Sequence, residues 1–247
     1  MDEYCASTYG ERIAGIYDDL YSDYDEATIE VLQELAKGGP ALELGIGTGR
    51  IALPLKAKGV EMHGVDASPA MIEKLRAKPG GEEVPVTVGD FGEVSVEGEY
   101  TLIYVVFNTF YALLTQEAQI NCFRNVANHL DRDGVFLIEV FVPDMTRFTN
   151  HQTVRVINMD ENRVQLDVNR HDPVKQQVMS QHIRLSEKGI ELYPVKVRYA
   201  WPSELDLMAR LAGLKLQHRW GDWNRSPFTA ESGRHISVYI RQDEANR

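Results

Sequence analysis

A glycine turn, Gly45-Ile46-Gly47-Thr48-Gly49, joins the apolar run Ala41–Leu44 to a helical pattern, and a second apolar run follows that ends at Asp66. Bare backbone at three alternate positions lets the chain adopt φ > 0 and approach a ligand closely. The unit repeats. Strands are predicted at 40–45, 60–66, 84–88, 101–106 and Val135–Val142, and helices at 49–57, 69–77 and 115–130. Ser68 before Pro69 is a proper helix start. Five strands alternating with helical segments predict an α/β fold, a parallel sheet covered on both faces. The run 101–106, nearly all apolar, fits a central strand buried on both sides.

The flanks read differently. Tyr9–Tyr24 has a helical pattern, and helix Glu26–Ala36 follows before Gly38-Gly39-Pro40 stops it. After Pro143 the helical period disappears. Runs at Thr153–Met159, Arg163–Arg170, Val178–Leu185 and Ile190–Tyr199, separated by turn residues, predict three or four antiparallel strands. Helix Ser203–Ala212 and strands Leu214–Trp220 and His235–Arg241 return to the core pattern. A chain of 247 residues accommodates one α/β domain with such an insertion. The net charge of −11 disfavours nucleic acid and anionic membrane as partners. The longest apolar runs are strand-sized, so no membrane span is expected. The start MDEYCAS does not read as a signal peptide, and Cys5 and Cys122 read as free thiols of a cytoplasmic protein.

Three ligand classes compete for the glycine turn. A phosphate-cradling loop of the Gly-x4-Gly-Lys-Ser/Thr type lacks its Lys-Ser/Thr here. A dinucleotide fingerprint needs a third glycine where Arg50 stands. The remaining reading is a turn around S-adenosylmethionine, which has no pyrophosphate. Asp66, at the carboxyl end of its strand, can accept from both ribose hydroxyls. Asp90, in Gly89-Asp90-Phe91, can accept from an adenine amine while Phe91 supplies apolar surface. Met71 can pack on the adenine. Arg50, expected in the first turn of a helix where a cation is disfavoured, either faces the methionine carboxylate or pairs with a surface acid.

Glu43-Leu-Gly45-Ile-Gly47-Thr-Gly49-Arg50, Gly64-Val-Asp66-Ala67-Ser68-Pro-Ala-Met71 and Gly89-Asp90-Phe91 resemble, in order and spacing, the cofactor motifs of class I S-adenosylmethionine-dependent methyltransferases. Leu102–Phe107 with Asn108-Thr109-Phe110 after it, and the turn Leu130–Gly134, fit the same family. The resemblance is strong over 40–142 and weak over 201–241. It implies a Rossmann-like, seven-stranded mixed sheet of order 3-2-1-4-5-7-6 with strand 7 antiparallel. It also implies cofactor contacts from Glu43, Gly45, Gly47, Gly49, Arg50, Asp66, Ala67, Met71, Gly89, Asp90, Phe91 and Phe107. Tyr17-Asp18-Asp19-Leu20-Tyr21 resembles the family's Tyr-Asp-x-x-Tyr lid, which implies that Tyr17 and Tyr21 close over the cofactor. The alternative is plain core packing. The insertion resembles the β-cap of bacterial small-molecule methyltransferases, sugar N-methyltransferases among them. The expected division is lid 1–37, core 38–149 and 201–247, and cap 150–200 over the substrate pocket, with a homodimer through the cap as one possibility.

Methyl transfer requires alignment more than any fixed catalytic motif. Candidate catalytic residues are Tyr111, Asp144, Tyr199 and His235. Candidate substrate contacts are Asn108, Tyr111, Phe141, Arg198, Tyr199, Trp201 and Trp223. His171, His182 and His235 read as solvated or structural before they read as bases. The seven histidines have no metal-ligand spacing, so no metal is expected. The absence of Asn/Asp-Pro-Pro-Tyr after the fourth strand argues for a small-molecule acceptor, with nitrogen, oxygen or carbon open. The rival readings are an S-adenosylmethionine-binding protein without transfer and an NAD-dependent oxidoreductase.

Overall fold

In the computed structural model, residues 4–93 and 96–242 are described. Residues 1–3, 94–95 and 243–247, which the expected lid and core include, lie outside the described residues. Strand β1 (Ala41–Leu44) is buried along its whole length. It pairs in parallel with β2 (Met62–Asp66) and β4 (Tyr100–Val105). β3 (Val86–Val88) adds to β2, and β5 (Leu130–Phe141) adds to β4, both in parallel. β11 (Arg234–Arg241) runs antiparallel to β5 and to the edge strand β10 (Leu214–Trp220). The order β10-β11-β5-β4-β1-β2-β3 is the order expected, with β10 and β11 as core strands six and seven.

Alternation along β4 divides the core between the two faces. Ile103 and Val105 join one cluster, and Leu102 and Tyr104 the other. Helices α3 (Glu26–Ala36), α4 (Ala52–Ala57), α5 (Pro69–Arg76), α6 (Gln116–His129) and α7 (Pro202–Leu211) cover these faces. Three begin on side-chain caps that satisfy first-turn N–H groups: Asp25 to Ala27, Ser68 to Met71 and Thr115 to Ala118.

The second sheet contains all four antiparallel strands, β6 (Gln152–Met159), β7 (Arg163–Asp172), β8 (Gln177–Ser186) and β9 (Gly189–Arg198), paired in that order. Tyr193 of β9 packs with Ile13, Ala14 and Met71, so this sheet, the N-terminal segment and α5 share a small apolar cluster.

Three local expectations change. The helix read across Tyr9–Tyr24 is two short ones, α1 (Thr8–Ile13) and α2 (Tyr17–Leu20). Asp131–Gly134 is not a turn ahead of β5 but an irregularity inside it. β4 pairs Tyr100 with Leu130 and Leu102 with Val135, so the extra residues bulge. After β4, Phe107 and Asn108 both take positive φ, 59° and 67°, leading into a 3₁₀ turn at Thr109–Ala112. Three bonds to β5 hold that strained corner: Phe107 N donates to Glu139 Oε2 at 2.9 Å, Asn108 N donates to Glu139 O at 3.2 Å, and Phe141 N donates to Asn108 Oδ1 at 2.7 Å.

Candidate active site

The carboxyl ends of β1, β2 and β4 open into a cavity of about 620 Å³, where open α/β sheets place their ligands. Gly45 and Gly47 line it with φ of +75° and +55°. A Cβ on Gly45 would fall 2.4 Å from Thr109 Cγ2, so the turn cannot carry a side chain there. Asp66 closes the loop: Oδ2 accepts from Gly47 N at 2.7 Å and Oδ1 from Ser68 N at 2.8 Å. Burial pushes its carboxyl up, against those backbone donors. Each oxygen keeps acceptor capacity for a ligand.

Glu43 lies at the floor of the cavity. Complete burial raises its pKa to about 8, although Tyr104 donates to Oε2 at 2.9 Å and Arg50 lies nearby. Arg50 precedes α4 and is not in its first turn. Its Nη1 donates to Asp23 O at 3.0 Å, and its guanidinium stacks 4.4 Å from the Phe107 ring. Its Nε is buried with no hydrogen-bond partner. An orphaned buried cationic donor beside bare glycine backbone suits a carboxylate.

The N-terminal segment forms another wall through Tyr9, Tyr17 and Tyr21. It is tied down by two carboxylates. Glu11 Oε1 accepts from Ser68 Oγ at 2.7 Å and Ala70 N at 3.1 Å. Asp18 Oδ1 accepts from Thr48 Oγ1 at 2.6 Å and Lys78 Nζ at 2.9 Å. Ala67, Met71, Asp90, Phe91, Phe107, Asn108 and Phe141 also face the cavity. Of the residues read as cofactor contacts, Gly49 and Gly89 do not. A Cβ on Gly49 would fall 2.3 Å from Leu75 Cδ1, so that glycine serves the packing of α5. Gly89 donates its N–H to Asp66 O at 2.9 Å, a strand-end contact.

Most expected acceptor contacts lie elsewhere. Tyr111 is fully buried, its hydroxyl donating to Ala200 O at 2.9 Å and Phe141 O at 3.2 Å. Arg198 is buried in an ion pair with Glu204 at 2.7 Å. Trp223 is buried in the core cluster of the opposite face and donates Nε1 to Glu139 at 3.2 Å. Trp201 is 42% exposed and does not line this cavity. His235 is buried against Ser237 Oγ at 2.8 Å, and burial pushes its pKa down to about 3. Tyr199 bonds His171 Nε2 at 2.9 Å and borders, with Asp144, a separate hollow. Asp144 is exposed and holds the N–H and hydroxyl of Thr146. Conversely, the second sheet brings Asp167, His182 and Val195 to the main cavity, and the first turn of the chain brings Tyr4 and Cys5. Nothing in the sequence motifs marks these residues. The cross-strand register that joins Asp167 to His182 is the one signal that could have. Among the described residues no group of histidine, cysteine and carboxylate side chains could hold a metal.

The sheet order, glycine turn and strand-end carboxylates define a class I S-adenosylmethionine-dependent methyltransferase, and the chain belongs to that family. A methyltransferase-domain family profile matches residues 41–134. The CcbJ methyltransferase from Streptomyces caelestis is 38% identical, over 97% of this chain and 100% of that one, with a TM-score of 0.90. The cypemycin N-terminal methyltransferase of a Streptomyces species is 26% identical over 206 residues, 83% of this chain and 84% of that protein. A fold likeness at 19% identity and a TM-score of 0.68 links the chain to CalS10 from Micromonospora echinaspora, solved with S-adenosylmethionine bound, over 98% and 99% of the two chains. The cofactor is S-adenosylmethionine. No helix among the described residues is long and apolar enough to cross a membrane.

Proposed function

We propose that the enzyme methylates a nitrogen or oxygen of a small organic molecule held between the glycine turn and the second sheet. The cavity itself carries this reading. One enclosure of about 620 Å³, within the range of small-molecule sites, is bounded by Gly45, Gly47 and Asp66 on one side and by Asp167, His182 and Val195 on the other. The acceptor would sit against Phe141 and Leu113. The cypemycin enzyme is named for an N-terminus, an amine, and its likeness spans most of both chains, which favours nitrogen.

Bound S-adenosylmethionine supplies an activated sulfonium methyl for in-line displacement. Asp66 would hold the ribose, Arg50 the carboxylate and Asp90 the adenine. Tyr17, Tyr21 and Met71 would shut out water, the N-terminal segment serving as lid and the second sheet as cap. What this chain contributes to rate is then alignment and a dry site. The test is a panel of small amines, alcohols, phenols and carboxylic acids incubated with enzyme and S-adenosylmethionine, with products read by mass spectrometry. A gain of one methyl on an amine or hydroxyl member is expected. Methylation confined to a nucleic acid or a folded protein, offered in parallel, would overturn the small-molecule reading.

A further inference from the structure

Asp167 on β7 and His182 on β8 face each other across one antiparallel register pair, and both side chains line the cavity. Directly opposed strand residues share a face, so the pairing is built into the sheet. The two side chains are only 14% and 26% exposed. His182 Nε2 stands 3.5 Å from Asp167 Oδ1, too far for a hydrogen bond, and Oδ1 is buried without any donor. A buried carboxylate oxygen left without a donor is costly unless a cation or donor reaches it at some point in the working cycle.

The surrounding charges do not fill that role. Arg155 is the cross-strand neighbour of Asp167 on β6 and is exposed. Arg147, in the loop after β5, and Tyr21, on the N-terminal segment, are close enough to feel the Asp167 charge, but neither bonds it. On β9, Tyr193 opposes His182 and gives its hydroxyl to Glu191, which also lies 3.7 Å from Arg184. Across the cavity stand Glu43, Asp66 and Asp90, with Arg50 as their one cationic companion on that wall.

Resting on the reading that this cavity holds the methyl acceptor, we infer that Asp167 and His182 form its amine site: Asp167 binds the protonated nitrogen, and His182 takes its proton. An ammonium has no lone pair and cannot attack. The step begins with R₂NH₂⁺ and a neutral imidazole. One N–H bond breaks, its electron pair stays on nitrogen, and the proton passes to the ring nitrogen, giving R₂NH and an imidazolium beside the Asp167 carboxylate. The freed lone pair then forms the new N–C bond while the methyl–sulfur bond breaks and its electron pair leaves on sulfur. The product R₂N(CH₃)H⁺ still carries a proton, and His182 later releases its own to water.

The experiment uses the full-length enzyme with S-adenosylmethionine and matched probes: N-methylbenzylamine and benzylamine against benzyl alcohol and benzoic acid, extended to bulkier amines, alcohols and acids. Transfer to amine members is expected. With the best of them, His182→Gln should lower kcat by about 100-fold at pH 7 and recover to within about fivefold near pH 9.5, where much of an amine with a pKa of about 10 is already deprotonated. Asp167→Asn should raise KM for the amine by about tenfold with a smaller change in kcat. A merely structural role would give no recovery with pH and no split between KM and kcat. Transfer to alcohols or acids but to no amine would overturn the amine site and leave small-molecule methylation standing. Transfer to amines at unchanged rates in both variants would overturn the residue roles. Transfer to none of the small probes, with methylation of an offered macromolecule, would sink the underlying acceptor reading and this site with it.

Discussion

The two walls of the cavity are built on different principles. The core wall is backbone: Gly45 and Gly47 in left-handed conformations, locked by the Asp66 carboxylate from the neighbouring strand. The wall from the second sheet is side chain: Asp167, His182 and Val195 on a pleated surface, with no backbone strain among them. A ligand common to a whole family can be met by fixed backbone, and an acceptor that varies needs replaceable side chains. That contrast leads us to assign cofactor affinity to the first wall and acceptor choice to the second.

The most forceful way to break this division is Asp66→Ala. It releases Gly47 N and, if Asp66 holds the ribose as proposed, removes charge-assisted hydrogen bonds to it, and should weaken S-adenosylhomocysteine binding by about 2–4 kcal/mol. Asp167→Asn, measured by the same calorimetry, should leave that affinity within about threefold. Equal losses in both variants would mean the two walls do not divide the work.

Next in size comes a test inside the core wall. Glu43 is held up to about 8 from an ordinary 4.5 by its burial. Between those values the folded chain keeps a proton that the unfolded chain has released, so the stability of the cofactor-free protein falls as pH rises through the window. Glu43→Gln has no such proton to lose and can still accept from Tyr104. It should exceed wild type by about 1–3 kcal/mol in denaturant unfolding at pH 8.5 and show no such gain at pH 4. Parallel pH profiles would place the ionised carboxylate comfortably in the free protein and contradict the burial argument.

Gly49→Ala separates fold from function on the same turn. At φ +76° and with a methyl directed at Leu75, it should cost about 1–3 kcal/mol of stability. Its effect on S-adenosylhomocysteine affinity should be far smaller than that of Asp66→Ala, because Gly49 does not face the cavity.

This glycine shows how the sequence could be right about an element and imprecise about a residue. The strands were legible because apolar runs and turn residues report burial directly, while their order came only through the resemblance to the family; Gly45 and Gly47 were legible because their backbone demands leave few substitutes, and Asp66 because a carboxylate ends its strand. Asp167 and His182 were not legible. They lie fifteen positions apart and meet only through the β7–β8 register, which no local pattern prints. Trp223 misled for the opposite reason. A long aromatic loop suggests a binding surface, yet its indole N–H finds Glu139 inside the core. The N-terminal segment falls between these cases. Its Tyr-Asp-x-x-Tyr was readable, while the latches from Glu11 to Ser68 and from Asp18 to Lys78 were not. If the segment is a lid, amide exchange across Thr8–Leu20 should slow by about tenfold on adding S-adenosylhomocysteine. Unchanged exchange would make it a fixed wall.

The smallest effect expected is at Trp201, and it tests whether the second wall moves. The residue is 42% exposed, and its ring touches Tyr199 edge-on, with centroids 6.2 Å apart. It stands at the N-cap of α7, where its backbone rather than its indole starts the helix: Trp201 O accepts from Glu204 N at 2.9 Å and Leu205 N at 3.0 Å. Trp201→Ala keeps that backbone and removes an exposed side chain, so stability should shift within about 0.5 kcal/mol and acceptor KM within about twofold. The comparison to make is with Phe141→Ala, whose ring does face the cavity and whose loss should raise acceptor KM several times more. If Trp201→Ala raises KM as much as Phe141→Ala while stability holds, the indole must reach the acceptor in the loaded enzyme. The second sheet would then have to swing toward the core on binding, and the side-chain wall would be assembled by the ligand and not carried ready-made by the register of β7 and β8.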